Sequence, residues 1–407
     1  MSRTPADLNG IRVIEIGRHA DFKSAFPERT QLLWTDKEQK YPLDAYPPFT
    51  LRSAWRAWRH VRSGKIDLIV VWAWPDAPWN FRQLKAVIAR PFRPLASLIR
   101  IFGIQMLRFV STATPIIVID NEDPRTIPSH NVFLIDKAKY FFKRELPVDR
   151  WQVFQHTKHA SLPGARFRSK AKNRRRIEKL RPISIGVLPA QPISRELPFP
   201  EKTVDVFVAV LVEGRTTVRI QGIQQLRALA LDGIAIDFAD QYISSSQYME
   251  RMAKAWLTWS PEGYGWDCFR HYEAPIAYSV PLINSPTIIR YAPLIDRVHA
   301  LYYQPDDPES LGSTIKNALS NRERLREMAQ RARTHVLAHH VRPRPHVDMI
   351  LRMALGLDEA PGGVQFDAPG ARDEIITDSY FLKGLLPGRP VARVESISER
   401  PVERTKD

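Results

Sequence analysis

Short runs of β-branched and apolar residues recur along this chain, each followed by a stretch of helical periodicity, and the pattern runs through twice. In the first half the runs are "IRVIEIG" from Ile11, "DLIVVWAW" from Asp67, "PIIVID" from Pro115 and "NVFLID" from Asn131, with "AWRAWRHVRSG" as an intervening helix. In the second half they are "VDVFVAVLV" at 204–212, "IAIDF", "AWLTWS", "VPLIN" at 280–284 and "ALYY" at 300–303. Helical stretches "IQQLRALALDG" and "SSSQYMERMAKA" lie between them, and a long amphipathic helix is predicted over 308–339. Apolar runs of this length without polar alternation belong to strands covered on both faces, and hence to mostly parallel sheets wrapped by helices. A chain of 407 residues is too long for one ordinary core and fits two such units.

Each half therefore reads as a Rossmann-like α/β domain. Between them lies the cationic run "RFRSKAKNRRRIEKLRP" at 166–182, followed by the proline-rich "LPAQPISRELPFP". Runs of like charge stay out of cores and prolines interrupt regular structure. The expected division is a first domain at 1–185, a linker at 186–200 and a second domain at 201–356. Residues 357–407 are polar with Pro and Gly throughout, apart from the patch "YFLKGLL", and a largely disordered tail is expected there.

The formal net charge of +16 favours polyanionic partners: nucleic acid, anionic lipid or phosphorylated small molecules. Between residues 51 and 110 arginines such as Arg52, Arg56, Arg59 and Arg62 face only Asp67 and Asp76, so the first half has a basic face. Zinc-finger spacing, an RNP-type aromatic motif and a basic heptad helix are all missing, so no specific nucleic-acid recognition is expected. The single cysteine, Cys268, rules out an internal disulfide framework and fits a reducing compartment. The opening residues carry no long apolar core, and the most apolar region is interrupted by Arg100, Arg108 and Pro115. Neither a secretory signal nor a membrane span is expected, and the predicted location is cytoplasmic. "FRPLASLIRIFGIQMLRFV", which mixes apolar residues with arginine, reads either as a sheet-covering helix or as one that holds the protein at an anionic membrane surface.

The densest chemistry is "SPEGYGWDCFRHYEAP" at 260–275, where Glu262, Asp267, Arg270, His271 and Glu273 crowd around a Gly-x-Gly turn. It follows the strand "AWLTWS" and opens a helix, the place where open α/β sheets collect ligands. Gly263, Tyr264 and Gly265 would let backbone N–H groups approach a phosphate beside the helix N-terminus. Asp267 is expected to cap that helix and Arg270 to face phosphate. Glu273, about two turns in, could accept both hydroxyls of a ribose.

"SPEGYGWDCFRHYEAPIAYSVPLIN", followed by "LYYQPDDPESLGSTIKNALSNRERLREMAQRARTHVLAHH", resembles the donor-binding domain of GT-B glycosyltransferases, particularly the spore-maturation-type and exostosin-like bacterial groups. The similarity covers residues 204–340 and extends to "KAKYFFKREL" in the first half. It implies two Rossmann-like domains facing a cleft, with a C-terminal helix. It also implies an enzyme moving a sugar from a nucleotide-diphosphate sugar to a cell-envelope or surface saccharide, or to a lipid-linked acceptor. Glu273, in its Glu-Ala pair, takes the place of the ribose ligand. A related retaining group spaces two glutamates eight apart, whereas Glu262 and Glu273 are eleven apart, so the stereochemical outcome stays open.

Departure of a nucleotide diphosphate requires cations or a metal to neutralise growing charge. No convincing Asp-x-Asp metal pair ends a strand, and His335, His339 and His340 read as one solvated helix face. A metal-independent site without further cofactor is therefore predicted, with Arg215, Arg219, Arg270 and the loop amides facing the diphosphate. In the first domain His19 is the candidate general base. Asp120, in "DNED", is a candidate to orient the acceptor, and Glu262 is the third candidate catalytic group. Two other readings remain: a basic nucleic-acid-binding protein and a glycosyltransferase-like scaffold without activity.

Overall fold

The computed structural model describes residues 8–35, 50–73, 104–155, 171–188, 197–209, 216–239, 241–357 and 366–367. In the first half, β1 (Val13–Gly17), β2 (Thr30–Trp34), β3 (Leu68–Trp72), β4 (Ile116–Asp120), β5 (Tyr140–Lys143) and β6 (Leu180–Pro182) form one sheet. Its order is β2-β1-β3-β4-β5-β6, with every pairing parallel. β1, β3 and β4 are buried along their whole length, which is why they read as unbroken apolar runs. Helices α1 (Asp21–Ala25), α2 (Leu51–Arg62), α3 (Val132–Lys137) and α4 (Ala171–Ile177) lie between these strands in the sequence. Alternate side chains feed two cores: Ile14, Ile69 and Val118 meet Ala57 of α2 and Leu134 of α3 on one face, and Val13, Val70 and Ile117 point to the other.

The second sheet holds β7 (Val204–Val208), β8 (Ile236–Phe238), β9 (Ala255–Trp259), β10 (Val280–Asn284) and β12 (Leu301–Tyr303). It is again parallel, in the order β12-β10-β9-β7-β8. β11 (Arg290–Tyr291) stands apart and pairs antiparallel with Phe366–Asp367. Helices α5 (Thr217–Leu231), α6 (Ser245–Ala253), α7 (Phe269–Ile276), α8 (Ser310–Leu319) and α9 (Arg322–His339) complete the domain. Two parallel sheets are thus present, with β-α alternation in both halves.

Four expectations change. "NVFLID" is helix α3 rather than a strand, and the strand is the next apolar run, Tyr140–Lys143. A six-residue apolar run satisfies either period, and here Leu134 and Ile135 bury as neighbours on one helix face. The segment "TQLLW" is strand β2 at the sheet edge, too short and mixed to be read beforehand. The single helix predicted over 308–339 is broken at Ser320 and Asn321, whose side chain accepts from Arg324 N–H at 3.0 Å and caps α9.

The fourth change concerns the second domain's expected span of 201–356. Helix α10 (Arg344–Leu355) leaves that domain and packs on the first, where Val347, Ile350 and Leu351 join Ile11, Phe22, Val70 and Phe142 in one core. Amphipathic spacing shows that a helix buries one face but not which sheet receives it. The crossing is pinned by Arg342, whose Nε and Nη2 donate to the two carboxylate oxygens of Asp21 at 2.8 and 2.9 Å, both residues buried. Residues 358–365 and 368–407 of the expected tail lie outside the described residues. No helix among the described residues is long and apolar enough to cross a membrane.

Candidate functional site

The chain leaves β9 at Trp259 and turns through 260–268 into α7. Glu262 N–H donates to Asn284 Oδ1 at 2.8 Å, and Gly263 N–H donates to the Gly265 carbonyl at 2.8 Å, so the loop is tied internally. A Cβ on Gly263 would sit 2.8 Å from Arg219 Nη2, and one on Gly265 would sit 2.4 Å from Glu145 Oε1. The two glycines therefore make room for side chains of the chain itself, Arg219 from α5 and Glu145 from the first domain. Glu145 is wholly buried, and its two oxygens accept from Trp266 N–H at 2.9 Å and Asp267 N–H at 2.8 Å. The two amides just beyond the Gly-x-Gly turn are thus occupied by an intramolecular carboxylate.

Asp267 does not cap the helix. The N-cap residue is Cys268, which makes no side-chain cap, while the buried Asp267 carboxylate accepts from Ile185 N–H at 2.5 Å and Tyr272 O–H at 2.6 Å. Burial pushes its carboxyl up to about 7. His271 is equally structural: Nδ1 lies 2.7 Å from Ser260 Oγ and Nε2 lies 2.8 Å from the Trp266 carbonyl. A carbonyl only accepts, so Nε2 carries the proton and Nδ1 accepts from Ser260; burial pushes this histidine down to about 3. The Glu262 carboxylate accepts from Asn284 Nδ2 at 3.1 Å and does not line the cavity described next. Its contribution is its carbonyl, which accepts from Arg219 Nε at 2.8 Å.

A cavity of about 480 Å³ opens between the domains. Arg219, Gly263, Tyr264, Gly265, Asp267, Arg270 and Glu273 meet on its second-domain wall. Glu273 Oε2 accepts from Tyr248 O–H at 2.9 Å, and burial raises its carboxyl against the opposing pull of Tyr248 and Arg270. Burial lowers the Arg219 guanidinium, and the like charge of Arg270 adds to this. Two neighbouring guanidiniums in a half-buried wall favour an anion between them. Cys268, Phe269 and Arg270 bring the first turn of α7 to the same wall, and that turn has N–H groups without intrahelical acceptors. Tyr264 and Tyr242, 63% and 90% exposed, stand at the rim.

The first domain supplies Asp123 and Arg144, which are paired with each other. The first-domain residues singled out from the sequence are placed elsewhere. His19 packs its ring on Trp72, centroids 4.4 Å apart, and is absent from the lining of this cavity. Asp120 is 2% exposed, accepts from Glu122 N–H at 3.1 Å and lies 3.2 Å from the buried Lys143 Nζ. A carboxylate so enclosed has no face left for an acceptor hydroxyl. Arg215 lies outside the described residues.

The histidines of α9 are a further correction. His340 is wholly buried, with Nδ1 2.8 Å from Ser184 Oγ and Nε2 2.8 Å from the Ala292 carbonyl, and His335 stacks on His299 at 4.4 Å. The helix ends at the joint where the chain crosses back to the first domain, so its last turn is covered. Sequence reasoning missed Arg144, Glu145, Tyr248 and Asn284. For the first two a signal existed, since both lie in "KAKYFFKREL".

No family model matches the sequence, and no curated protein matches it. Among solved structures, a glycosyltransferase from Rickettsia africae is similar over 86% of this chain and 98% of its own, at 8% identity and TM-score 0.48. Anabaena HepE in complex with UDP is similar over 86% and 100%, at 12% identity and TM-score 0.44. Sucrose-phosphate synthase from Thermosynechococcus elongatus is similar over 85% and 98%, at 11% identity and TM-score 0.44. These likenesses are of outline, and the functional reading rests on the residues of the site.

Proposed function

We propose that this chain is a glycosyltransferase that holds a nucleotide-diphosphate sugar in the interdomain cavity and passes the sugar to a saccharide or lipid-linked acceptor of the cell envelope. The observation that carries this reading is the convergence of Glu273, Arg219 and Arg270 on one cavity where β9 runs into α7, at the carboxyl edge of a parallel sheet. Tyr248 holds one oxygen of Glu273, and the carboxylate accepts the ribose hydroxyls. Arg219, Arg270 and the first turn of α7 face the diphosphate and stabilise the charge that grows on the departing nucleotide. Fixed cations in these positions supply what a metal ion would, so the transfer is proposed to be metal-independent. The acceptor enters from the first-domain side, past Asp123 and Arg144, and the reaction takes place in the cytoplasm.

The test is a thermal-shift screen of nucleoside diphosphates and nucleotide sugars, followed by product analysis with the best donor. A ligand that binds the native state raises its melting temperature. A chain that responds to none of them does not have this function. Donor binding without any turnover, by hydrolysis or transfer, would mark an inactive scaffold.

A further inference from the structure

We infer that the first-domain face formed by α2 and the short helix Met106–Phe109 docks on an anionic lipid bilayer. The inference deepens the proposed transfer, on which its lipid-linked acceptor rests, and uses none of the donor-site residues. Helix α2 begins with a reciprocal cap in which Thr50 Oγ1 accepts from Ser53 N–H at 3.0 Å and Ser53 Oγ accepts from Thr50 N–H at 2.9 Å. That cap fixes which face turns inward: Ala57 and Val61 bury against the sheet. At the edge of that face Leu51 (62%) and Trp55 (63%), one turn apart, remain exposed. Phe109, 89% exposed, lines one apolar cavity with both of them. Arg52, Arg56 and Arg59 are exposed on the same helix and have no carboxylate partner among the described residues.

Beneath the exposed aromatics an apolar cavity of about 570 Å³ runs between α2 and the sheet, floored by Ile14, Ile16 and Ile69. Large apolar side chains held in water over an open apolar cavity are unfavourable, and such a patch marks an interaction surface. The flanking charge selects the partner. A cationic amphipathic helix with tryptophan at its apolar edge suits the boundary between headgroups and acyl chains, where arginines reach phosphate while Trp55, Leu51 and Phe109 enter the acyl layer. A nucleic-acid backbone would satisfy the arginines but leave the apolar side chains and the cavity in water.

The experiment is flotation of the full chain with vesicles of phosphatidylcholine alone and of phosphatidylcholine mixed with phosphatidylglycerol. The chain is expected to float with the anionic vesicles only and to be released by salt. Each arginine near such a surface contributes about 1 kcal/mol, so Arg52→Ala combined with Arg56→Ala should lower partition roughly 30-fold. Trp55→Ser combined with Phe109→Ser should lower it on the order of tenfold. All four side chains are exposed, so the variants should keep the parent melting temperature and nucleoside diphosphate affinity, which separates failure here from failure of the donor reading. Equal flotation with both vesicle types, no flotation, no loss in either double variant, or retention on duplex RNA without flotation would each overturn the inference.

Discussion

Two charged regions face each other across the interdomain cavity: the loop and helix at 260–276 in the second domain, and the strand ends at 120–123 and 143–145 in the first. The loop at 260–276 and the "DNED" strand end both looked like sites in the sequence, and the two regions use their charges differently. In the first domain nearly every charge is neutralised within the protein: Asp120 by Lys143, Arg144 by Asp123, Glu145 by two loop amides. In the second domain Arg219, Arg270 and Glu273 face open space, with Tyr248 and backbone carbonyls as supports. Charge density alone does not mark a binding site. What separates the two is whether the charged atoms still have a direction left open.

If this contrast is right, the largest loss of stability belongs to the first-domain side. Glu145→Ala would leave two buried loop N–H groups without an acceptor and leave Arg144 with Asp123 as its remaining ion-pair partner, a cost of about 3 to 5 kcal/mol. Urea unfolding measures it, and a change of only a few tenths would mean the interdomain hook is ornamental. Gly265→Ala presses a methyl group onto the same carboxylate and should cost about 1 to 3 kcal/mol. Rescue of Gly265→Ala by Glu145→Asp, which shortens the arm, would sharpen the assignment.

On the second-domain side the expected loss is in affinity. Arg219→Ala should weaken nucleoside diphosphate binding by about 1.5 to 3 kcal/mol, roughly ten- to a hundredfold, with a smaller effect on stability. A variant that unfolds while binding normally would place Arg219 with the framework. Asp267 gives a pH test of the framework. Its folded-state carboxyl is raised to about 7, so the folded chain holds a proton that the unfolded chain releases, and the stability this contributes is lost as pH rises through that value. Asp267→Asn should flatten that slope, as read from melting temperature against pH. The smallest effect belongs to His19→Ala, which removes one ring contact with Trp72 worth about 0.5 to 1 kcal/mol and should leave nucleotide affinity unchanged.

The sheets were legible because a strand buried on both faces reads as a near-continuous apolar run: β1, β3, β4 and β10 announce themselves in the sequence. The edge strand β2, with Gln31 half-exposed, and the helix in "NVFLID" were not, since a short run carries too few turns to fix its period. At the site, Arg270 and Glu273 were legible from their distance to the glycine turn, and Arg219 from its place after β7. The glycines were found but misread. A missing Cβ says that something comes close, and Gly263 and Gly265 do not say that it is Arg219 and Glu145. Arg144 and Tyr248 reach the cavity from elements remote in the chain, so no local spacing could have joined them to Glu273.

The most direct measurement is calorimetric titration of the best-binding nucleoside diphosphate into the parent chain and Glu273→Gln, at neutral pH and again under acid conditions. Glutamine keeps the volume and the reach to Tyr248 but removes the charge from the hydrogen bonds proposed for ribose. The expected result is about ten- to a hundredfold weaker binding with an unchanged melting temperature. In the parent, affinity should begin to fall on acidification above the usual carboxylate range, because burial raises the Glu273 carboxyl, and the variant should lack that fall. Equal affinity in parent and folded variant, with the same pH profile, would contradict the claim that the charges of the second-domain wall serve a nucleotide.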